Sequence, residues 1–147
     1  MKIEVISAGN DENIQIIESK FSISLPNDYK NFIQTNDGAR IIDGYFWIEE
    51  LNQKALMGIF YGVSVTRSIN IIDINTEYFE DIPQNSILIG RDAGGAFILL
   101  LNDNINNGIY FYDHSYFFEE SSDSKNTYLI AKSFDDFIKI LEQTQPD

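Results

Sequence analysis

Cysteine is absent from the sequence, and histidine occurs once, as His114. Without cysteine the chain can form no disulfide, no thiolate zinc site and no cysteine nucleophile. A single histidine excludes metal sites built on several histidines and weakens the case for a histidine general base. The lack of cysteine also fits a reducing compartment.

Long apolar runs are missing as well. The longest, Ala96 to Leu101, falls far short of the roughly 18–20 residues that span a membrane. The first residues, Met1 to Ile6, lack the apolar core of a signal peptide. We therefore expect a soluble, cytoplasmic protein that does not associate with membranes.

Positive charge is scarce, since 10 Lys and Arg residues face 23 Asp and Glu residues and the formal charge is −13. Between Arg67 and Lys125, Arg91 alone opposes ten acidic residues. A field of this sign repels phosphate backbones and argues against direct nucleic-acid binding. It would attract a basic partner and speed the encounter. The alternative is that the acidic surface only keeps the protein soluble.

The chain does contain ample material for a core, because 44% of its residues are hydrophobic and 11 are Phe. A length of 147 residues predicts one domain covering residues 1–147. No repeat, low-complexity tract or linker interrupts it.

Four segments have helical signals. Asn10 is a good N-cap for a first helix, and a second helix is predicted to start at Pro26 and to stop at Asn36-Asp37-Gly38. The segment from Ser68 to Phe79 is ambiguous between strand and helix, and we favour helix. Ser133 caps the final helix, in which apolar residues repeat at helical intervals.

The strand signals lie between these helices. Asp43-Gly44 within Arg40 to Ile48 predicts a hairpin. Short, turn-rich connections join three further segments and imply antiparallel pairing. These segments are Ser86–Gly90, Ala96–Leu101 and Gly108–Tyr112, and strands are also predicted within Ala55–Val65 and, at an edge, over Thr127–Ala131. The sequence thus predicts an α+β fold, a central antiparallel β-sheet flanked by N-terminal helices and a C-terminal helix.

Three patterns resemble chemical motifs but fail on inspection. Asp113-His114-Ser115 contains the residue types of a catalytic triad, yet neighbours in a strand point to opposite faces. Asp103 to Gly108 lacks calcium ligands at the required positions and is typical of an Asn-rich turn. Gly90 to Gly95 has no Gly-Lys-Ser/Thr and predicts a β-turn. We expect no catalytic residues, no cofactor and no metal.

Four segments carry a resemblance to a known family. Leu25 to Ile33, followed by Asn36-Asp37-Gly38, is similar to a Leu-Pro-x-x-Tyr-x-x-Phe-Leu helix that ends in Asn-Gly-Gly, with Asp37 where Gly is usual. Ile87 to Ala96 is similar to an Ile-Gly-x-Asp-x-x-Gly turn, Gly108 to His114 to a Gly-x-Val-Tyr-x-x-Asp-His strand, and Ile130 to Ile138 to an Ile-Ala-x-Ser-Phe-x-x-Phe-Leu helix entry. Together they resemble the SUKH superfamily, bacterial relatives of yeast cell-wall-assembly regulators linked to killer-toxin resistance.

The resemblance implies an immunity protein that binds and neutralises a secreted polymorphic toxin, often a nuclease, and that has no enzyme activity. Given the charge, we expect the cognate toxin to be basic. We also expect this protein to be a monomer or a weak homodimer. A second hypothesis is a non-catalytic scaffold or regulatory module in cell-wall or signalling complexes. An enzyme of unknown type is the least supported, since no nucleophile–base or metal constellation is present.

The prolines, glycines, aromatics and capping residues of the four motifs serve the fold. Acidic residues are therefore the better candidates for a partner-binding face. The adjacent acids Glu49-Glu50, Glu80-Asp81 and Glu119-Glu120 are either solvated or seats for Lys and Arg of a partner. Exposed aromatics from the cluster between Tyr110 and Phe118 would add a binding hot spot. The predicted face draws on Glu49, Glu50, Glu77, Glu80, Asp81, Glu119, Glu120 and Asp123.

Overall fold

A computed structural model describes residues 1–113 and 126–146, and within them eight antiparallel strands form the sheet. The strands are β1 Lys2–Ala8, β2 Asn36–Ile42, β3 Tyr45–Ile48, β4 Gln53–Phe60, β5 Ser86–Asp92, β6 Phe97–Leu101, β7 Gly108–Tyr112 and β8 Thr127–Ala131. The helices are α1 Glu12–Phe21, α2 Asn27–Thr35, α3 Ile71–Tyr78 and α4 Phe134–Gln143. The sheet order is β1-β2-β4-β5-β6-β7-β8, and β3 pairs with β4. The predicted α+β class and antiparallel sheet are confirmed.

The first strand, β1, is not predicted from the sequence. Because β1 precedes α1, the described fold begins with a strand and not with a helix. β1 pairs antiparallel with β2, from Lys2 opposite Ile42 to Ala8 opposite Asn36. Val5 and Ile6 are exposed, so the strand has no regular alternation of buried and exposed residues. Its position depends on hydrogen bonds to residues about 30–40 positions further along the chain, which a local pattern does not reveal.

The predicted hairpin at Asp43-Gly44 is wrong. β2 and β3 do not pair with each other, since both pair with β4, at residues 59–60 and 53–56 respectively. Asp43, with φ 56°, joins two successive segments on the same side of β4. The turn that reverses the chain is the 3₁₀ segment Glu49–Leu51, which Asn52 closes by donating its N–H to the Glu49 carbonyl at 3.0 Å.

The helix boundaries lie close to those predicted. The Asn10 carboxamide accepts the Asn13 N–H at 3.1 Å, although Asp11 is the boundary residue of α1. Pro26 is the N-cap of α2, which begins at Asn27. The ambiguous segment is helical in α3, where the Asn70 side chain accepts the N–H groups of Ile72 and Asp73.

An aromatic cluster joins α2 and α4 to the sheet. Tyr29 and Phe32 of α2 contact Phe134 of α4, with ring centroids 5.1 and 5.0 Å apart. Phe60 of β4 contacts Phe134 at 5.5 Å, and Phe137 at 6.1 Å. Three of these four contacts are edge-to-face, a geometry that adds to the stabilisation that burial provides. Four of these five side chains belong to the first and fourth family-like motifs, which therefore build the core.

The second motif is also structural. A Cβ on Gly90 would lie 2.4 Å from the Ile59 carbonyl oxygen, so only glycine allows β4 and β5 to approach here. Asp92 closes the following turn by accepting the Ala96 N–H at 2.8 Å. Burial raises the pKa of the Asp92 carboxyl, against the opposing effect of its backbone hydrogen bonds.

The cap of α4 gives a first testable prediction. The Ser133 hydroxyl accepts the Asp136 N–H at 3.1 Å, so Ser133→Ala should lower the free energy of unfolding by about 1 kcal/mol. Urea denaturation followed by circular dichroism measures this change. Ser19→Ala, at an exposed position within α1, is the matched control and should be neutral or slightly stabilising. Equal losses in both variants would contradict a capping role.

Candidate partner-binding site

The structure divides the predicted acidic face into two groups. Glu77 lies on α3, and Glu80 and Asp81 lie in the 3₁₀ segment that follows it; we call these three residues the α3 group. Glu49 and Glu50 lie at the tip of the β3–β4 hairpin and form the hairpin group. All five side chains are exposed. Glu119, Glu120 and Asp123 lie outside the described residues.

The five placed carboxylates have no positive partner within the described residues. None of them forms an ion pair or a hydrogen bond there, whereas Glu18 pairs with Lys30 at 3.6 Å. Unpaired acids close together on one element repel each other, and a cation supplied by another molecule would relieve that repulsion. Both groups are therefore suited to contact basic side chains.

A cavity of about 780 Å³ lies beside α3. Its size is within the range of small-molecule and peptide clefts. It extends between α3, the 3₁₀ segment Arg67–Ile69 and the strands β5 and β6. Its polar lining includes Tyr61, Arg67, Asp73, Glu77, Tyr78 and Arg91. We call it the α3 cavity.

The acidic wall of the α3 cavity comes from one face of α3. Asp73 and Glu77 are four residues apart, a spacing that places side chains on the same side of a helix. The helix is fixed to the sheet by Asn75, whose carboxamide nitrogen donates to the Leu88 carbonyl at 2.9 Å and whose oxygen accepts the Leu88 N–H at 2.8 Å. Asp73 was not among the predicted site residues, although its spacing from Glu77 was visible in the sequence.

The basic wall comes from Arg67 and Arg91. Arg91, half-buried on β5, donates from Nη1 to the Ser68 carbonyl at 3.1 Å. Neither arginine forms an ion pair within the described part of the chain, although Asp73 and Glu77 line the same cavity. The α3 cavity thus has separated positive and negative walls.

Tyr61 lies beside Arg91 at the inner side of the cavity. Its side chain is only 2% exposed, and its hydroxyl proton has no acceptor among the described residues. Burial raises the pKa of the Tyr61 hydroxyl, and the charge of Arg91 together with its side-chain hydrogen bond offsets only part of this effect. The hydroxyl is therefore protonated at neutral pH and remains available as a hydrogen-bond donor.

These basic-wall residues were missed at the level of sequence. Arg91 is the one basic residue among the ten acids between Arg67 and Lys125, a pattern that indicates a charge imbalance but does not place Arg91 in a cavity. Tyr61, Arg67 and Arg91 are distant along the chain, and the fold brings them together. The useful signal was the isolation of Arg91, since a lone cation in an acidic chain is expected to have a specific neighbour.

The hairpin group lies beside exposed apolar side chains. Along β3, Phe46 and Ile48 are buried while Trp47 is 43% exposed, as the alternation of a strand requires. A second cavity, of about 400 Å³, lies between Trp47 and Glu49 on one side and Leu129 and Lys132 on the other. The hairpin tip thus combines carboxylates with the single tryptophan of the chain.

The aromatic cluster is placed in part. Phe111 and Tyr112 of β7 are buried and Tyr110 is half-buried, so these three serve mainly the core. Tyr116, Phe117 and Phe118 lie outside the described residues, as does His114. The loop after β6 is a closed turn in which the Asp103 carboxylate accepts the Ile105 and Asn106 N–H groups at 2.9 and 2.7 Å. These bonds lower the pKa of Asp103.

Two classes of feature are not found in the described part of the chain. Among residues 1–113 and 126–146, no three acidic or histidine side chains converge as metal ligands would. Across the same residues, no helix combines the length and the apolar character needed to cross a bilayer.

A sequence model of the SMI1 / KNR4 family (SUKH-1) matches residues 9–140. The chain belongs to this family. The match confirms the resemblance drawn from the four motifs. The chain is also similar to the SPbeta prophage-derived uncharacterized protein YokK of Bacillus subtilis (strain 168), with 28% identity over 150 residues that cover 90% of this chain and 74% of the relative.

In this SUKH-1 chain the motif residues and the cavity residues are different sets. Tyr29, Phe32 and Phe134, from the motifs, are in the core. Arg67, outside the motifs, lines the α3 cavity. Arg91 occupies the open position of Ile-Gly-x-Asp, so the motif fixes its place on β5 but not its chemistry. The family pattern therefore accounts for the scaffold, and the motif residues quoted above do not define the lining of the α3 cavity.

Proposed function

We propose that this protein is an immunity protein that binds and neutralises a cognate, positively charged toxin and performs no chemistry itself. The observation that carries the proposal is the α3 group, three exposed carboxylates that have no positive partner among residues 1–113 and 126–146 and lie beside a large cavity. Membership of the SUKH-1 family supports it, since members often act as immunity proteins. The prophage origin named for the similar protein is consistent with a toxin–immunity pair.

Charge explains how such a complex would form. The surplus of acids gives a formal charge of −13, which would draw in a basic protein and accelerate association by about 10–1000-fold at low salt. The α3 group would then contact Lys or Arg side chains directly. A nuclease toxin needs a positive surface to hold phosphates, and a carboxylate-bearing protein seated there would exclude the nucleic acid.

An exposed aromatic ring gives the α3 group an apolar centre. Phe79, between Tyr78 and Glu80, is 57% exposed and is stacked against Phe21 with ring centroids 6.5 Å apart. Interfaces commonly combine a buried aromatic anchor with a polar rim. Phe79 would supply the anchor, and Glu77, Glu80 and Asp81 the rim. Because Trp47 gives the hairpin group an exposed aromatic ring as well, the larger cavity beside α3, about 780 against 400 Å³, is what favours the α3 group as the main contact.

The proposal predicts that reversing charge on the α3 group weakens toxin binding. We expect Glu77→Lys/Glu80→Lys to reduce affinity at least about tenfold, mainly through slower association, and to flatten the dependence on salt. The protein to be tested as toxin is the product of a toxin gene adjacent to the gene for this protein, and affinity is measured by surface plasmon resonance at several salt concentrations. Survival of cells that express the toxin measures protection.

Two matched double variants test the location of the surface, because each also changes the net charge by +4. Glu49→Lys/Glu50→Lys reports on the hairpin group, and Glu12→Lys/Glu142→Lys alters exposed acids on α1 and α4. A loss confined to the first variant places the contact at the α3 group. Equal losses of affinity in all three double variants would mean that only the net charge matters. If the wild-type protein neither binds nor neutralises the toxin, the scaffold hypothesis is favoured.

A further inference from the structure

The α3 cavity contains more positive character than a site for basic side chains needs. Two of the three arginines in the chain, Arg67 and Arg91, line it. Arg91 directs Nη1 to the Ser68 carbonyl, and no carboxylate of the described residues pairs with it. Beside it, the buried Tyr61 hydroxyl has no acceptor for its proton among the described residues. An arginine that pairs with none of the described carboxylates is suited to a ligand that supplies one.

We propose that the α3 cavity receives an Asp or Glu side chain from a segment of the partner protein, and that this segment has basic residues on either side of the acid. The inference rests on the proposed function in so far as the segment belongs to the bound toxin. It adds that one acidic residue of a basic partner is recognised specifically.

The chemistry of the basic wall selects a carboxylate. A guanidinium presents a planar set of N–H donors that matches the two oxygens of a carboxylate, and the contact is strongest where water is excluded. The half-buried Arg91 and the buried Tyr61 both line the cavity, and Ser68 accepts from only one Arg91 nitrogen, Nη1. A carboxylate there would satisfy both, and Arg67 would add a second positive charge.

The acidic wall determines what surrounds that carboxylate. Asp73 and Glu77 lie on α3 in the same cavity, so a ligand with several negative charges, such as a phosphate dianion, would be repelled. A single carboxylate between Lys or Arg residues matches both walls. The cavity volume of about 780 Å³ suits a short peptide segment better than a free amino acid.

Such a contact would provide specificity that the overall charge cannot. Any basic protein is attracted by a charge of −13, but a partner without the correctly placed carboxylate would leave Arg91 desolvated and unpaired. The α3 group would therefore speed the encounter, while the cavity selects the cognate toxin.

Two capped peptides test the inference without a toxin. The probes are acetyl-Lys-Glu-Lys-amide and acetyl-Lys-Gln-Lys-amide, which differ only in the carboxylate. Each is titrated into the ¹⁵N-labelled protein while the amide resonances of Tyr61 and Arg91 are followed. We expect the Glu peptide to shift these resonances and to bind about tenfold more tightly than the Gln peptide.

Variants connect the effect to named side chains. Arg91→Gln and Tyr61→Phe should each remove most of the preference for the Glu peptide. Arg40→Gln, on the exposed side of β2 and outside the cavity, changes the net charge equally and should preserve it. Thermal unfolding checks that the variants fold. If Arg91→Gln proves unstable, Tyr61→Phe, which removes only a hydroxyl, still tests the inference.

Three outcomes would overturn the inference: equal binding of the two peptides, a preference unchanged in Arg91→Gln, or no shift of cavity resonances at about 20 mM peptide, where even weak sites are occupied. The toxin assay separates this failure from that of the proposed function. If the wild-type protein protects cells while the peptides are not discriminated, the carboxylate contact is wrong and immunity stands. If the peptides behave as expected but no toxin is bound, immunity is wrong.

Discussion

Asn75→Ala is expected to lower the free energy of unfolding by about 2–4 kcal/mol, because the substitution leaves buried backbone groups without partners. Asn75 is 1% exposed on α3. Its carboxamide nitrogen donates to the carbonyls of Ile71 and Leu88, and its oxygen accepts the Leu88 N–H, all at 2.8–2.9 Å. It thus bonds both backbone groups of Leu88, as a neighbouring strand would. Alanine offers neither a donor nor an acceptor.

Urea denaturation of the wild-type and variant proteins measures this loss, with the slope of the transition checked for two-state behaviour. Asn31→Ala is the matched control, since Asn31 is an exposed asparagine within α2. That substitution should be neutral or slightly stabilising, because alanine has the higher helix propensity. A loss below about 1 kcal/mol in Asn75→Ala would mean that water replaces the carboxamide at Leu88.

The same bond has a functional consequence. Asn75 lies between Asp73 and Glu77 on α3, so a helix detached from β5 would carry the acidic wall away from Arg91. We therefore attribute the geometry of the α3 cavity to a buried side chain that does not itself line the cavity. Its role was not visible in the sequence, where Asn75 was one of the polar interruptions that made the segment ambiguous.

The parts of the fold that were predicted correctly have local causes. Ser133 caps α4 with a hydroxyl three residues from the N–H it accepts. β5, β6 and β7 pair in sequence order across short turns, so neighbours along the chain are neighbours in the sheet. Where the causes are non-local the prediction failed. β1 depends on β2 across α1 and α2, and the direction taken after Asp43 depends on β4.

The candidate site divides in the same way. Its acids could be predicted, since Glu77, Glu80 and Asp81 lie within five residues of one another and surface acids need no tertiary contact to be exposed. The opposing wall could not, because Tyr61 and Arg91 meet only when β4 and β5 pair. Counting charges thus predicts that the surface is acidic, while the position of the basic wall within it depends on the fold.

For Asp37→Gly, the family motif and the structure of this chain predict different effects on stability. Glycine is usual at the corresponding position of the Asn-Gly-Gly motif, so the pattern alone predicts a harmless change. The structure predicts a loss of about 2–4 kcal/mol in the free energy of unfolding, because Asp37 is 2% exposed and its carboxylate accepts the N–H groups of Val63 and Ser64, at 2.5 and 2.8 Å.

The carboxylate holds the segment that leads from β4 into the α3 cavity. Gly62, next to Val63, packs so closely that a Cβ there would lie 2.6 Å from the Asp37 carbonyl carbon. If Asp37 is removed, the two N–H groups lose their charged acceptor in part-buried hydrogen bonds, and glycine adds freedom to the unfolded chain. The position of Tyr61 should loosen together with this segment.

Asp43→Gly is the matched control, and the two substitutions should have opposite signs. Asp43 is exposed and has φ 56°, a left-handed conformation that glycine adopts without strain, so its replacement should be neutral or stabilising. Urea denaturation of both variants provides the comparison, and hydrogen exchange at Val63 and Ser64 should accelerate only in Asp37→Gly. If stability and exchange are unchanged in Asp37→Gly, the Asp37 carboxylate does not hold the segment in place, and the glycine of the family motif serves equally well.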